Sequence, residues 1–291
     1  MQFLSQTASD GVIESLFTVD GVPGVLWSPD AGGDPAPLVL MGHGGGLHKN
    51  APGLVARAAY LVTAFGFHAA AIDAPGHGDR TRSASDAAWV ETMQSARRAG
   101  EPLGPIVSAF NASIAERAVP EWRATLDALH ALPEIDADRP VGYSGMTLAT
   151  EIGFRLAAAE PRIGAAALGA AYASEALMEV ARRVSASVQF LLPWDDPEID
   201  RESGLALFDA IGTEAIGTEA IGTGAIGTGA IDSVEKSLHA FPGPHERVPS
   251  YEAHDSAGFL ARHLRPPVRS RGLPASARGV RTRLTCGRSS T

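Results

Sequence analysis

The chain has 291 residues, 45% of them hydrophobic and 20% charged, with a net charge of −9. That is enough apolar material for one large domain and argues against global disorder. The charge is uneven: residues 265–291 hold seven arginines and no acid, which leaves residues 1–264 with 17 basic against 33 acidic groups, or −16. An acidic body argues against nucleic acid as a partner of the folded part. No apolar run approaches the ~20 residues that cross a bilayer, so no membrane partner is expected either. The lone Cys286 rules out an internal disulfide and a cysteine metal cage. The start, MQFLSQTASDGVIES, shows no basic stretch followed by an apolar one, and a cytoplasmic location is the expectation. The oligomeric state is not readable.

Short apolar runs alternate with helical patterns, which predicts an α/β architecture: a doubly wound, mostly parallel sheet with helices on both faces. Gly24–Trp27 reads as a first strand and Pro37–Met41 as a second, running into Gly42-His43-Gly44-Gly45-Gly46. Residues 53–65 form a helix stopped by Gly66. Phe67–Ile72 is the next strand and ends in Asp73-Ala74-Pro75-Gly76-His77-Gly78-Asp79. Residues 81–118, with Trp89, Met93 and Phe110, read as helices covering a site. Pro120 suits a helix start, and Val119, Trp122, Leu126 and Leu129 then mark one buried face. Strands follow at 139–144, 163–168, 188–192 and 237–240, with helices at 148–159, 174–183, 202–210 and about 251–264.

Two segments stand apart. Residues 210–229 repeat a five-residue unit four times, AIGTE AIGTE AIGTG AIGTG. Five matches neither the helix nor the strand period, so this reads as a low-complexity insertion in a connection. Residues 265–291 read as a basic, disordered tail beyond a domain at 1–264.

Four pieces carry chemistry. The first is the glycine loop His43–Gly46. Glycines let a backbone approach a substrate and aim an N–H at a developing oxyanion. The second is a strand-to-helix turn with two competing registers, Gly142-Tyr143-Ser144-Gly145-Met146 and Gly145-Met146-Thr147-Leu148-Ala149. The second register is favoured. Ala149 is small where the first register has bulky Met146, and a tip at Thr147 leaves room for a strand of ordinary length after Pro133. The following helix also begins there. The third piece is the acidic end of a strand, Pro193-Trp194-Asp195-Asp196-Pro197-Glu198-Ile199. The fourth is His245 in the loop Phe241-Pro242-Gly243-Pro244-His245.

Together these resemble the α/β-hydrolase superfamily, in its esterase and dienelactone-hydrolase-like branch, over roughly residues 20–264. The resemblance implies an α/β-hydrolase fold with a small helical lid insertion at 81–118. It implies a hydrolase of carboxylic ester, thioester or lactone bonds acting on a small-molecule substrate through an acyl-enzyme. Thr147 stands in the usual serine position, with Ser144 as the alternative nucleophile. Asp196 is the acid, with Asp195 as its alternative, and His245 is the base. Gly45 and Leu148 form the oxyanion hole. No cofactor and no metal is implied, and Asp73–Asp79 resembles the structural D-x-x-G-H-G turn of the family. His43, His48 and Lys49 line the glycine loop and orient it. A threonine departs from the pattern, because the tip of such a turn takes positive φ, which suits a β-branched residue poorly. The rival reading is a weakly active or inactive member that binds a small apolar ligand in the same pocket.

Overall fold

A computed structural model describes residues 1–216 and 234–265. Most of the pentapeptide repeat and all of the basic tail after Arg265 lie outside the described residues.

The chain opens with three strands, β1 (Gln2–Ser9), β2 (Val12–Val19) and β3 (Val22–Pro29). They form an antiparallel meander. Both turns are Asp-Gly pairs with positive φ at each residue: Asp10 and Gly11 at 51° and 80°, Asp20 and Gly21 at 49° and 80°. Two-residue turns of this kind match the twist of the flanking strands. The sequence reading missed β1 and β2, although an Asp-Gly pair between alternating residues is the signal that would have found them.

The rest alternates strand and helix. β4 (Leu38–Met41), α1 (Pro52–Phe65) and β5 (His68–Ile72) come first, then α2 (Ala84–Ala99), α3 (Gly104–His130), β6 (Val141–Met146), α4 (Leu148–Ala159) and β7 (Ile163–Gly169). α5 (Glu175–Arg182), β8 (Ser187–Pro193), α6 (Arg201–Ala210), α7 (Thr213–Ile216), β9 (Lys236–Phe241) and α8 (Ser250–Leu264) complete it. The described strands make one sheet in the order β1-β2-β3-β5-β4-β6-β7-β8-β9. From β5 to β9 every pairing is parallel. β4 has β5 on one side and β6 on the other, so the chain reverses its direction of travel there. Such a switch point opens a crevice at the carboxyl ends of the strands.

Both faces are covered, and β3, β4, β5 and β7 feed both. In β4, Leu38 and Leu40 enter the core under α3 and α4, while Val39 and Met41 enter the core under α1 and α8. This is why the central strands are apolar throughout rather than alternating. α1 follows the expected range closely. Pro52 sits in its first turn, and Gly66 closes it in the left-handed region at φ 68°.

One expectation is corrected. Pro120 does not start a helix; it lies inside α3, which runs unbroken for 27 residues. An interior proline typically costs about 3 kcal/mol. Here Ile114, Ala118, Trp122, Leu126 and Leu129 form a single stripe that is at most 1% exposed, and burial of that stripe outweighs the local penalty. Residues 81–118 hold α2 and the first part of α3, and none of them lines the cavity described below. Trp89 and Met93 pack on the α3–α4 core, and Trp89 lies 6.2 Å from Phe110, itself 6% exposed. No described helix is long and apolar enough to cross a membrane.

Candidate active site

The loops after β4 and β6 meet at the switch point. β6 ends at Met146 and α4 begins at Leu148, so Thr147 alone makes the turn, at φ 55° and ψ −113°. The strand lies two residues later than the range 139–144 expected from the sequence. Ser144 is inside it, paired with Met41 and Ala167.

The turn is held on all sides. Thr147 N donates to Gly169 O at 3.1 Å. The Thr150 hydroxyl accepts from Gly169 N at 2.9 Å and reaches the carbonyls of Gly169 and Gly145. The buried Tyr143 hydroxyl donates to Ala149 O at 2.9 Å. Small residues are required for a reason visible in the packing: a Cβ on Gly145 would lie 2.5 Å from the Cβ of Ala149, and so would one on Gly42. Gly145, Gly42 and Ala149 thus let the turn and the glycine loop close on each other. A Cβ on Gly44 would stand 3.0 Å from the Thr147 Oγ1, whereas one at Gly45 would meet nothing within 4 Å.

His43 fixes the glycine loop. The backbone N–H of Ala74 donates to its Nε2 at 3.0 Å, so Nδ1 carries the proton and donates to Gly44 O at 2.9 Å. Burial lowers the His43 pKa to about 4, so the ring is neutral at pH 7. Lys49 anchors the far end of the same loop. Its backbone N–H and its Nζ each donate to Asp73 at 2.8 Å, and its Nζ also reaches Asp79. Burial would raise the Asp73 pKa, but these bonds and the Asp79 N–H outweigh it and hold the carboxyl below its ordinary value. Gly78, at φ 57°, passes so close that a Cβ would fall 2.2 Å from Asp73 Oδ1. The acidic turn after β5 therefore ties two loops together.

The acid and the histidine come from the ends of β8 and β9. Asp195 is exposed, while the Asp196 side chain is fully buried. Asp196 Oδ2 accepts from the backbone N–H of His245 at 2.6 Å and pairs with its Nδ1 at 2.7 Å. Its Oδ1 accepts from the N–H groups of Glu198 and Ile199 at 2.8 and 2.7 Å. Burial alone would raise the Asp196 pKa, but the backbone N–H groups of His245, Ile199 and Glu198 and the imidazole bring it down. An ionised carboxylate only accepts, so His245 Nδ1 is the donor and Nε2 is left as an acceptor. Glu246 Oε1 lies 3.6 Å from Nε2.

Thr147 and His245 line one cavity of about 610 Å³ with His43, Gly44, Gly45 and Ser144. Leu148, just beyond the turn, is 1% exposed. Among the described residues the Thr147 hydroxyl makes no hydrogen bond. The sequence reading did not single out Tyr143, Thr150 or Glu246, nor Arg57 on the same wall. Asp196, His245 and Glu246 have ligand atoms within 4.8 Å of one another, as do His239, Glu252 and Asp255. In each group the histidine already bonds a carboxylate.

The reversed sheet order and the strained strand-to-helix turn at the switch point are those of an α/β-hydrolase fold. Similarity to solved structures agrees. A cold-adapted esterase from an Arctic intertidal metagenomic library, in a PEG-bound complex, is 32% identical over 91% of this chain and 100% of its own, with a TM-score of 0.66. Acetyl xylan esterase 1 from Thermoanaerobacterium sp. matches at 14% identity over 90% of this chain and 87% of its own, with a TM-score of 0.62. A dienelactone hydrolase from Anabaena variabilis matches at 17% over 88% and 100%, with a TM-score of 0.56. The last two show the fold alone. No family model and no curated protein matches the chain. The chain belongs to the α/β-hydrolase superfamily, in its esterase branch.

Proposed function

We propose that this ester-bond hydrolase cleaves a carboxylic ester, thioester or lactone of a small molecule by acyl transfer, with Thr147 as nucleophile, His245 as base and Asp196 as its orienting acid. One observation supports the reading above all: His245, held by Asp196 with Nε2 free to accept, shares a cavity wall with the residue at the strained turn.

His245 Nε2 takes the hydroxyl proton as Thr147 attacks the carbonyl, and Asp196 stabilises the imidazolium. The oxyanion is met by the N–H groups of Leu148 and Gly45. Leu148 is the first residue of α4, so its N–H has no partner within the helix, and the helix end carries partial positive charge. His245 returns the proton to the leaving alcohol. Water then repeats the sequence and frees the acid. His43 and Lys49 keep the glycine loop in place. The catalytic domain in this reading is residues 1–264, and a cytoplasmic setting is part of it.

Fluorophosphonate labelling with mapping of the modified peptide tests the nucleophile; the label is expected on Thr147. Turnover of p-nitrophenyl acetate and butyrate is expected above a Thr147→Ala control. A label on Ser144, or loss of turnover in Ser144→Ala alone, would mean the other register. No turnover above the control would leave the ligand-binding alternative.

A further inference from the structure

The cavity extends away from Thr147 between α1 and α8. Leu54, Arg57 and Leu61 are spaced by three and four residues on α1, so they share one face, and all three line the cavity. Leu54 and Leu61 are each 3% exposed. The helix period thus puts a guanidinium in the middle of an apolar stripe. Among the described residues Arg57 forms no ion pair and no hydrogen bond, and its Nε is sealed from solvent without a partner. Burial pulls its pKa down, and among the described residues no carboxylate stands near enough to push it back up. The two acids on the same wall do not serve it: Glu252 bonds His239 Nδ1 at 3.1 Å, and the Glu246 side chain is 65% exposed. Arginine does not shed its charge in proteins, so a half-buried, unpaired guanidinium calls for an anion.

The geometry points to a substrate-specificity role: Arg57 receives the free carboxylate of an ester whose other end is bound at Thr147, such as a monoester of a short dicarboxylic acid. The planar fork of a guanidinium fits a carboxylate with two parallel bonds. Hydrolysis adds water across the ester bond and gives the dicarboxylate and the alcohol. The surrounding leucines suit the methylene chain between the two ends.

This inference rests on the esterase reading, and the test separates the two. Mono-p-nitrophenyl succinate, glutarate and adipate are compared with p-nitrophenyl butyrate, valerate and hexanoate, which replace the free carboxylate by a methyl group. The quantity read is the ratio of kcat/KM, charged over neutral, at each length. For at least one length the wild type is expected to favour the charged ester. Arg57→Met should lower that ratio by about tenfold or more, as expected for loss of a hydrogen bond to a charged group. Arg57→Lys should keep part of the preference. A wild-type ratio below one at every length, or a ratio unchanged in Arg57→Met, overturns the inference while leaving the esterase reading intact. Should no ester be turned over, glutarate is titrated calorimetrically into Thr147→Ala and into Thr147→Ala with Arg57→Met. Binding lost with Arg57 supports the anion site. Binding absent from both, or equal in both, refutes it.

Discussion

Thr147 holds φ 55° and ψ −113° with a β-branched side chain. Conformations of this kind cost about 1–3 kcal/mol outside glycine. Replacing Thr147 by glycine removes that strain, against about 0.5–1 kcal/mol of extra backbone entropy in the unfolded chain. The Thr147 hydroxyl has no hydrogen-bond partner to lose among the described residues, and the side chain is only half-buried. The net expectation is a gain of about 1 kcal/mol, or about 2–4 °C in Tm for a domain of this size. Turnover should fall to the level of Thr147→Ala at the same time. Urea denaturation at pH 7 reads the first effect and p-nitrophenyl ester hydrolysis the second. A stability gain with lost activity is what a functional residue held in strain should show. A Thr147→Gly protein less stable than wild type by more than about 1 kcal/mol would refute the strain argument.

Other changes probe the neighbours of this turn. Asp196→Asn keeps the shape but puts an amide against two donors from His245, so kcat should fall by about 10³–10⁴-fold with the fold intact, as in other triads; a loss below tenfold would detach Asp196 from the mechanism. For His43 the folded pKa of about 4 lies below the free value of 6.5, so the unfolded chain binds more protons between these pH values. Its contribution is present above pH 6.5 and is lost as pH falls toward 4, by about 3 kcal/mol. Denaturation at pH 7 and pH 4.5 should show a smaller pH effect in His43→Gln than in wild type; equal effects would contradict the burial. Gly145→Ala sets a Cβ 2.5 Å from that of Ala149 and should destabilise by about 1–3 kcal/mol, read by thermal melting.

The elements legible in the sequence are those whose cause is local. Proline in the first turn and glycine at the left-handed close bounded α1, and unbroken apolar runs marked the buried parallel strands. The glycine loop and the turn at Thr147 were readable because close approach of backbones excludes large side chains, and that exclusion is written in residue size. Other features were decided only in three dimensions. Pro120 stays within α3 because a long buried stripe outweighs a local penalty that sequence rules score alone. Asp195 and Asp196 are identical in chemistry and adjacent in the chain. Asp196 is the one that pairs with His245, 49 residues away, because its side chain turns inward at the end of β8. Arg57 carried no motif, and α1 pattern alone makes it one polar residue on an amphipathic helix. Its meaning comes from the cavity it shares with α8 and from the lack of any carboxylate paired with it among the described residues. Side-chain size and backbone preference act within a few residues and so can be read along the chain. Partner and burial are set by which distant segments meet, and only the folded sheet decides that.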